Sequence, residues 1–385
     1  MMQVVALATL LAAGLLVAKA ENIEHLRCGA LPHTYCMTID DNELRFMIIG
    51  DFGGLPVYPY KTRVQSYMAK TAQKFALSQR TQFYMSLGDN FYYHGVKNVD
   101  SKRFKKTFEQ VYRFSEQYKP WLMQLGNHDH YGNAQAQLQY AEKSKRWIIP
   151  NFYYTVNFKL AKSNLNVKMI LLDTELMLRG VNMAEQLAWF EQQLKSSTAD
   201  DYLVVAAHHP MYSVGTHGNT VKLLPVVKPL LHKYKVDLYL SGHDHSLQHI
   251  RHSEAGHVVN YVVAGMSSRA STLSNKDDVG KGELVYAYGA RTIAGQLGFT
   301  RGGFATVNIG TSGIDLGFYD KKGNDKHHNQ IPKTARKGSG SENQVPETAF
   351  DAEEDQQFLH EDSEEDDAEF VESNEIADDS SQFDE

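Results

Sequence analysis

The chain contains a series of short apolar runs, most of which end in a cluster of polar residues. The runs are LRFMIIGDFGG, FYMSLGDNFY, WLMQLGNHDH, VKMILLDTE, YLVVAAHHP and VDLYLSGHDH. Each is nearly all apolar and rich in branched or aromatic side chains, which is typical of strands buried on both faces of a sheet. Amphipathic stretches of helix length, TRVQSYMAKTAQKFALSQ and EQLAWFEQQLKSS, lie between them. This alternation predicts an α/β fold with much parallel pairing.

The last apolar runs of the body follow one another without long helices between them. They are HVVNYVVAGM, GFATVNIG and GIDLGFYD. Strands that are close together along the chain usually pair with one another in antiparallel fashion. We therefore expect these three to complete a second, more antiparallel sheet that packs against the first.

The N-terminus begins with an apolar run, VVALATLLAAGLLVA, that is followed by Ala18, Lys19 and Ala20. The run is too short to span a membrane comfortably, and the small residues lie where a signal peptidase would cut. The pattern predicts a signal peptide over residues 1–20, with a buried N-terminal helix as the alternative. It places the mature protein outside the cell or in a lysosomal or other endomembrane lumen. No later segment is predicted to span a membrane.

Charge is distributed very unevenly along the chain. Residues 341–385 contain 19 Asp and Glu and no Lys or Arg, whereas residues 1–340 contain 39 Lys and Arg against 27 Asp and Glu. A block of like charges cannot bury enough apolar surface to fold, and a basic body attracts anionic partners. The sequence therefore predicts one folded domain over residues 21–330 and a disordered acidic tail over residues 331–385.

The polar clusters share one position, just after the predicted strands, where α/β sheets bind their ligands. A glycine precedes several of them, which lets the chain turn sharply and approach a ligand closely. Carboxylate, amide and imidazole groups suit hard or borderline metal ions, and two such ions could share one aspartate. Tyr92, three residues after Asp89, could be either a core aromatic or a ligand. The candidate ligands are Asp51, Asp89, Asn127, His208, His243 and His245.

Five motifs in one order carry a resemblance to a known family. GDFGG, GDNFY, GNHD, HHP and GHDH resemble the blocks of the calcineurin-like metallophosphoesterases, and more narrowly those of the purple acid phosphatases of the small animal type, the tartrate-resistant acid phosphatases. The likeness covers about residues 43–320. It implies a four-layer α/β/β/α sandwich, with two mixed sheets flanked by helices, and phosphatase activity.

The resemblance also implies a role for each candidate residue. Asp89 would bridge two metal ions, and His128 and His217 would line the substrate pocket without binding metal. His209 is not counted as a ligand, because the family has tyrosine at its position. Fe(III) would bind at Asp51, Asp89, Tyr92 and His245. A divalent ion, Fe(II) or alternatively Zn or Mn, would bind at Asp89, Asn127, His208 and His243.

The expected reaction is the hydrolysis of phosphate monoesters. A metal-bound hydroxide would attack phosphorus, and a protonated His128 or His217 would assist the departing alcohol. Substrates would be small molecules or phosphoproteins, and we expect a monomer without a nucleic-acid-binding module. The alternatives are another dinuclear metallophosphoesterase, such as a protein phosphatase or a phosphodiesterase, and a secreted iron-binding protein with incidental catalysis. The two pocket histidines argue against the last, because neither is needed merely to hold metal.

Three features depart from the resembled family. The exposed loop at which proteolysis activates its animal members is reduced here to LMLRGVNMAE, so we expect no repression by that loop. Cys28 and Cys36, the two cysteines of the chain, both precede the first motif, and whether they pair is left open. The acidic tail is additional. It is either a solubilising appendage or a segment that folds over the basic body and competes with phosphate substrates.

Overall fold

The computed structural model describes residues 32–197, 202–274 and 279–334. The strands in these ranges are β1 (Thr34–Ile39), β2 (Leu44–Ile48), β3 (Phe83–Met85), β4 (Trp121–Leu122), β5 (Trp147–Ile148), β6 (Tyr154–Leu160), β7 (Asn166–Leu171), β8 (Tyr202–Ala206), β9 (Leu238–Ser241), β10 (Leu247–Glu254), β11 (His257–Ala264), β12 (Glu283–Tyr288), β13 (Gly303–Gly310), β14 (Gly313–Asp320) and β15 (Asp325–Pro332). The α-helices are α1 (Arg63–Ser78), α2 (Asn127–His130), α3 (Ala134–Tyr140), α4 (Thr174–Leu178), α5 (Met183–Lys195), α6 (Leu224–Lys233) and α7 (Ile293–Gln296). A π-helical segment (Phe104–Glu109) and a 3₁₀ turn (Ser115–Gln117) lie between β3 and β4.

The strands form two mixed sheets. One has the order β1-β6-β7-β8-β9-β11-β10-β12, and the other has the order β15-β14-β13-β2-β3-β4-β5. Each sheet has a block of parallel strands, β7-β8-β9-β11 inside the first sheet and β2-β3-β4-β5 at one edge of the second. β1 also pairs in parallel with β6, and the remaining neighbours pair in antiparallel fashion. The α/β class with much parallel pairing is confirmed.

The layers can be followed along a single strand. In β8, Val204 faces the core shared by the two sheets, whereas Leu203 and Val205 face the core beneath α5 and α6. Side chains alternate along a strand, so a strand buried on both faces is apolar at every position. Between the sheets, the rings of Phe83 and Phe158 stack with their centroids 5.0 Å apart. The helix α1 packs on the seven-stranded sheet, where the ring centroids of Phe75 and Phe304 are 5.1 Å apart, and α5 and α6 cover the eight-stranded sheet. This arrangement agrees with the expected four-layer sandwich.

The predicted grouping of the last strands is wrong in one respect. HVVNYVVAGM forms β11 and lies in the eight-stranded sheet, whereas GFATVNIG and GIDLGFYD form β13 and β14 beside β2 in the other sheet. The reason is a tight hairpin between β10 and β11, whose turn residues Ala255 and Gly256 have φ values of 50° and 74°. Such a turn forces β11 to pair with the strand before it.

The predicted ends of the chain are only partly described. The predicted signal peptide over residues 1–20 and the acidic tail beyond residue 334 lie outside the described residues, and the domain boundaries stay predictions. β15 extends to Pro332, two residues past the predicted end of the folded domain. Cys36 is disulfide-bonded, and Cys28, the other cysteine of the chain, lies outside the described residues. No helix in the described ranges is long and apolar enough to cross a membrane.

Candidate metal centre

The candidate ligands meet where the parallel strands of both sheets end. Asp51 follows β2, Asp89 follows β3 and Asn127 follows β4, all from the seven-stranded sheet. His208 follows β8, and the pair His243 and His245 follows β9, from the eight-stranded sheet. The predicted convergence of these residues at one place is observed.

His208 forms one half of the centre together with an amide and a carboxylate. Its Nδ1 lies 2.7 Å from the carbonyl oxygen of Leu87, which can only accept, so Nδ1 carries the proton and donates. The unprotonated Nε2 therefore lies 3.0 Å from Asn127 Oδ1 and 3.5 Å from Asp89 Oδ1. With the proton on Nδ1, three possible acceptor atoms converge, an arrangement that suits a cation.

Tyr92 forms the other half, with Asp51 and His245. Its phenol oxygen lies 2.8 Å from His245 Nε2 and 3.4 Å from Asp51 Oδ1, and Asp51 Oδ2 is buried without a hydrogen-bond partner. Tyr92 is fully buried, and its ring packs edge-on against that of His245. The phenol thus points at the other candidate ligands and not into the apolar core, which supports the reading of Tyr92 as a ligand.

His243 connects the two halves. Its ring Nδ1 lies 3.2 Å from His208 Nε2, and its backbone N–H donates to Asp51 Oδ1 at 2.9 Å. Among the described residues, Asp51, Asp89 and His208 form one group whose ligand atoms lie within 4.8 Å of one another. His243 therefore lies toward one half and His245 toward the other, although the chain at this point is bent and not extended.

The backbone at these strand ends adopts rarely seen conformations that allow close packing. Asp51, Asp89 and His243 have φ values of 55°, 52° and 66°, in a region that non-glycine residues seldom adopt. At Gly126, an added Cβ would lie 2.2 Å from Asp89 Oδ1, and at Gly242 it would lie 2.2 Å from Asp51 Oδ2. The predicted reason for glycine before these clusters, close approach to a ligand site, is thus borne out at both positions.

His128 and His217 lie at the edge of the centre. His128 Nδ1 donates to the carbonyl oxygen of Tyr93 at 2.7 Å, which leaves its Nε2 free, and its ring contacts that of Tyr92 at 4.9 Å. The exposed ring of His217 packs against that of His243, with centroids 4.2 Å apart. Both side chains are therefore near the candidate ligands and open to solvent.

Two buried aspartates within the motifs were missed by the sequence reasoning. Asp129, in GNHD, accepts from the backbone N–H groups of Asn90, Phe91 and Gly126, and so joins the loops that follow β3 and β4. Asp244, in GHDH, accepts from the hydroxyl of Ser213, and from the backbone N–H of His217 at 3.1 Å. Each carboxylate holds the loop that carries a pocket histidine.

Asp129 and Asp244 could have been suspected, because each lies inside a quoted motif. Neither spacing nor composition distinguishes them. The sequence does not show which aspartates accept hydrogen bonds from backbone groups that are distant along the chain.

His209 lies close to the candidate ligands, but its ring also faces residues of α4. Its ligand atom is within 4.8 Å of those of His208 and His243. Its Nδ1 lies 2.9 Å from Thr174 Oγ1, however, and its Nε2 lies 3.5 Å from Glu175 Oε2. Thr174 on α4 therefore holds the ring through Nδ1, and the omission of His209 from the ligand set stays a prediction.

The electrostatics of the centre also favour cations. Asp51 and Asp89 are both buried, and no Lys or Arg of the described residues forms an ion pair with either. Without a cation beside it, burial and the charge of Asp89 raise the pKa of Asp51 well above its usual range. Burial lowers the pKa of His243 and His245 well below their usual range, so both rings are neutral and can act as ligands. The donor set thus fits a pair of metal ions.

Residues 44–247 match the family model of the calcineurin-like phosphoesterases. The chain belongs to this family. It is 35% identical over 325 residues to tartrate-resistant acid phosphatase type 5 of Rattus norvegicus, which covers 80% of this chain and 95% of that relative. It is 29% identical over 312 residues to purple acid phosphatase 4 of Arabidopsis thaliana, which covers 74% of this chain and 83% of that relative.

A solved structure shares the fold of this chain. It is that of GAP50, the anchor in the inner membrane complex of Plasmodium, with a TM-score of 0.64 and 24% identity over 77% of this chain and 90% of that one. At this identity the likeness shows the fold alone.

The relatives confirm the resemblance inferred from the five motifs. The chain is an acid phosphatase of the purple, tartrate-resistant kind, and a dinuclear metal centre is expected in such enzymes. These likenesses do not identify the ions, the role of each ligand or the substrate, all of which stay predictions.

Proposed function

We propose that this chain hydrolyses phosphate monoesters at a mixed-valence pair of metal ions. Fe(III) would be held by Asp51, Tyr92 and His245, and Asp89 would bridge it to the second ion. That ion, Fe(II) or alternatively Zn or Mn, would be held by Asn127, His208 and His243. Bound there, the pair supplies Lewis acidity toward the phosphoryl oxygens and a nucleophile from water.

The position of the Tyr92 phenol carries this proposal. The oxygen lies within 3.4 Å of both Asp51 and His245, although an ordinary core tyrosine would direct its hydroxyl to a backbone group or to solvent. Burial and the charges of Asp51 and Asp89 raise the pKa of Tyr92 well above its usual range. Only a strongly charged cation makes a phenolate stable in such a place, which favours a trivalent ion.

His128 is positioned to donate a proton to the leaving group. Because Nδ1 is committed to the carbonyl of Tyr93, the nitrogen available for proton transfer is Nε2. A protonated ring would donate to the ester oxygen as the bond to phosphorus breaks. His217, held through its backbone by Asp244, would hold a phosphoryl oxygen from the side of His243.

A cationic side chain beside the centre supports an anionic substrate. The guanidinium of Arg269 lies over the ring of Tyr92 at 4.2 Å and donates to the hydroxyl of Tyr93 at 2.8 Å. It faces the same opening as His128, whose ring contacts that of Tyr93. A dianionic phosphate monoester entering there meets positive charge before it reaches the ligands.

The test combines metal analysis with the visible spectrum and a hydrolysis assay. Purified protein should contain two metal ions per chain with at least one iron, and should absorb in the visible range through phenolate-to-iron charge transfer. It should release phosphate from p-nitrophenyl phosphate at acid pH, and tartrate should not inhibit it. A colourless protein that contains only zinc would refute the ferric assignment. A coloured protein without hydrolysis would favour the alternative of an iron-binding protein.

A further inference from the structure

A second group of candidate ligands lies at the other end of the eight-stranded sheet. It consists of His232, in the last turn of α6, and His252 and Glu254, near the end of β10. β10 begins with Leu247 next to the metal-centre segment, and His252 is five residues further along, about 17 Å away at the usual rise of a strand. The group is thus separate from the phosphatase centre.

The two histidines are buried with nitrogens that lack partners. Each is only 5% exposed, and their ring centroids are 5.6 Å apart. Within the described ranges, neither ring nitrogen of His232 has a hydrogen-bond partner, and Nδ1 of His252 has none. Buried polar atoms in native proteins are almost always satisfied, and an unsatisfied cluster indicates an unseen ligand.

Glu254 supplies the third ligand atom. His252 and Glu254 are two residues apart on β10 and so lie on the same face of the sheet, toward α6. One carboxylate oxygen of Glu254 accepts from Lys228 at 2.7 Å, and Lys228 is one turn before His232 on the same helix. The lysine fixes the carboxylate on the α6 side of the strand and leaves its other oxygen for a ligand.

The surroundings keep both imidazoles neutral. Burial lowers the pKa of His232 to about 4, and burial together with the charge of Lys228 lowers the pKa of His252. The ring of Tyr212 stacks flat on that of His252 at 5.1 Å, and His257 lies 6.4 Å from His232 with its Nε2 directed at the carbonyl of Val236. Neutral imidazole is the form that binds a metal, so no proton has to be removed first.

We propose that His232, His252 and Glu254 bind one divalent cation of the zinc class, in addition to the two ions of the phosphatase centre. Two imidazoles and one carboxylate are a common zinc set, with water as the fourth ligand. Their ligand atoms lie within 4.8 Å of one another. Tetrahedral zinc places such atoms roughly 3.3 Å apart, so side-chain movements of about 1.5 Å or less close the site. Calcium and magnesium, which prefer oxygen ligands, would not compete well.

The cation would act on stability. The site ties α6 to β10, and a ligand that binds only the folded chain raises its stability by mass action. None of the three side chains belongs to the candidate ligands or pocket histidines of the phosphatase centre, so the phosphatase reaction would proceed with or without this ion.

The test is zinc uptake by protein whose phosphatase centre is already filled. Wild-type protein equilibrated with micromolar zinc and then gel-filtered should contain three metal ions per chain, and its thermal unfolding midpoint should rise. The variant His252→Gln should contain two ions and show no rise, with unchanged hydrolysis. Wild-type protein that stays at two ions would overturn the proposal, and so would a His252→Gln variant that still takes up the third.

Two further variants test whether a loss of zinc arises from loss of the proposed ligands or from misfolding. Glu254 is exposed enough that Glu254→Gln should fold normally, and it should weaken zinc binding by about tenfold or more. The matched control is His327→Gln, which breaks another histidine pair, in which Nδ1 of His249 on β10 lies 3.2 Å from Nε2 of His327 on β15. That pair belongs to no three-ligand group in the described ranges, so the control should keep the third ion. Equal loss of zinc in the control would refute the assigned residues.

Discussion

Replacing Tyr92 by phenylalanine tests the metal centre most directly. The change removes one oxygen, which lies 2.8 Å from His245 Nε2 and 3.4 Å from Asp51 Oδ1, and leaves the buried ring in place. Because the ring keeps its contacts with His128 and His245, the fold should be retained. Any effect should therefore arise from the missing oxygen.

The expected loss can be bounded from known magnitudes. Removing a group that merely supports a ligand costs about 10- to 100-fold in metal affinity. Loss of the ligand itself should reach the upper end of this range, about 100-fold or about 2.7 kcal/mol. The visible band should disappear entirely, because its donor orbital belongs to the phenolate. Iron content, the spectrum and p-nitrophenyl phosphate hydrolysis measured on the same preparation give the three readouts.

Tyr93→Phe is the matched control for Tyr92→Phe. Tyr93 is adjacent in sequence and 36% exposed, and its hydroxyl accepts from Arg269 instead of facing the candidate ligands. The control should keep both iron and colour. An unchanged band and iron content in Tyr92→Phe would refute the assignment of the phenol as a ligand, whatever happened to activity.

Three other changes test separate parts of the structure. Asp244→Asn should lower kcat by about tenfold and leave the metal content unchanged, because the loop of His217 loses a charged hydrogen-bond acceptor. Loss of metal from this variant would contradict the role given to Asp244. Burial of the His130 side chain opposes its charged form, but the hydrogen bond that its Nε2 donates to Asp173, together with the charge of that carboxylate, outweighs burial and raises the pKa of His130. The stability that this charged histidine contributes is present below its usual pKa and is lost as pH rises through the raised value. His130→Gln should therefore lower the unfolding midpoint more at about pH 5 than at about pH 8. Equal losses at the two pH values would count against this role of His130. Only residues 179–182 join α4 to α5, so limited trypsin digestion followed by assay should give no activation, and a several-fold increase would be the contrary result.

The convergence of the candidate ligands could be predicted from sequence because its signal is local. Each ligand follows an apolar run, and the carboxyl ends of parallel strands meet at one edge whatever the order of the strands. Asp51 and His208 are distant along the chain, yet each is recognisable beside its own strand. The motifs therefore predicted the site without the topology being known in full.

Other features could not be predicted because their causes are not local. β10, LQHIRHSE, reads as polar, because the sequence does not show that His249 is buried and bonded to Asn260 on the neighbouring strand. β15, DKHHNQIP, is an edge strand whose side chains are largely exposed. Without β10 in view, the hairpin that assigns β11 to the eight-stranded sheet could not be seen. The group of His232 and His252 was hidden for the same reason, because one of its members lies on that unrecognised strand.

The division of ligands between the sheets links metal binding to the packing of the fold. The seven-stranded sheet supplies the carboxylates and Tyr92, whereas the eight-stranded sheet supplies His208 and the pair that follows β9. The carboxylates of Asp51 and Asp89 are buried and repel one another when ionised, and the rings of His243 and His245 opposite them are neutral. The two sets of ligands therefore attract one another only weakly without cations between them. Ions bound there would join the sheets at this edge, and the empty protein should be weakest where Asp51 and Asp89 face the histidines.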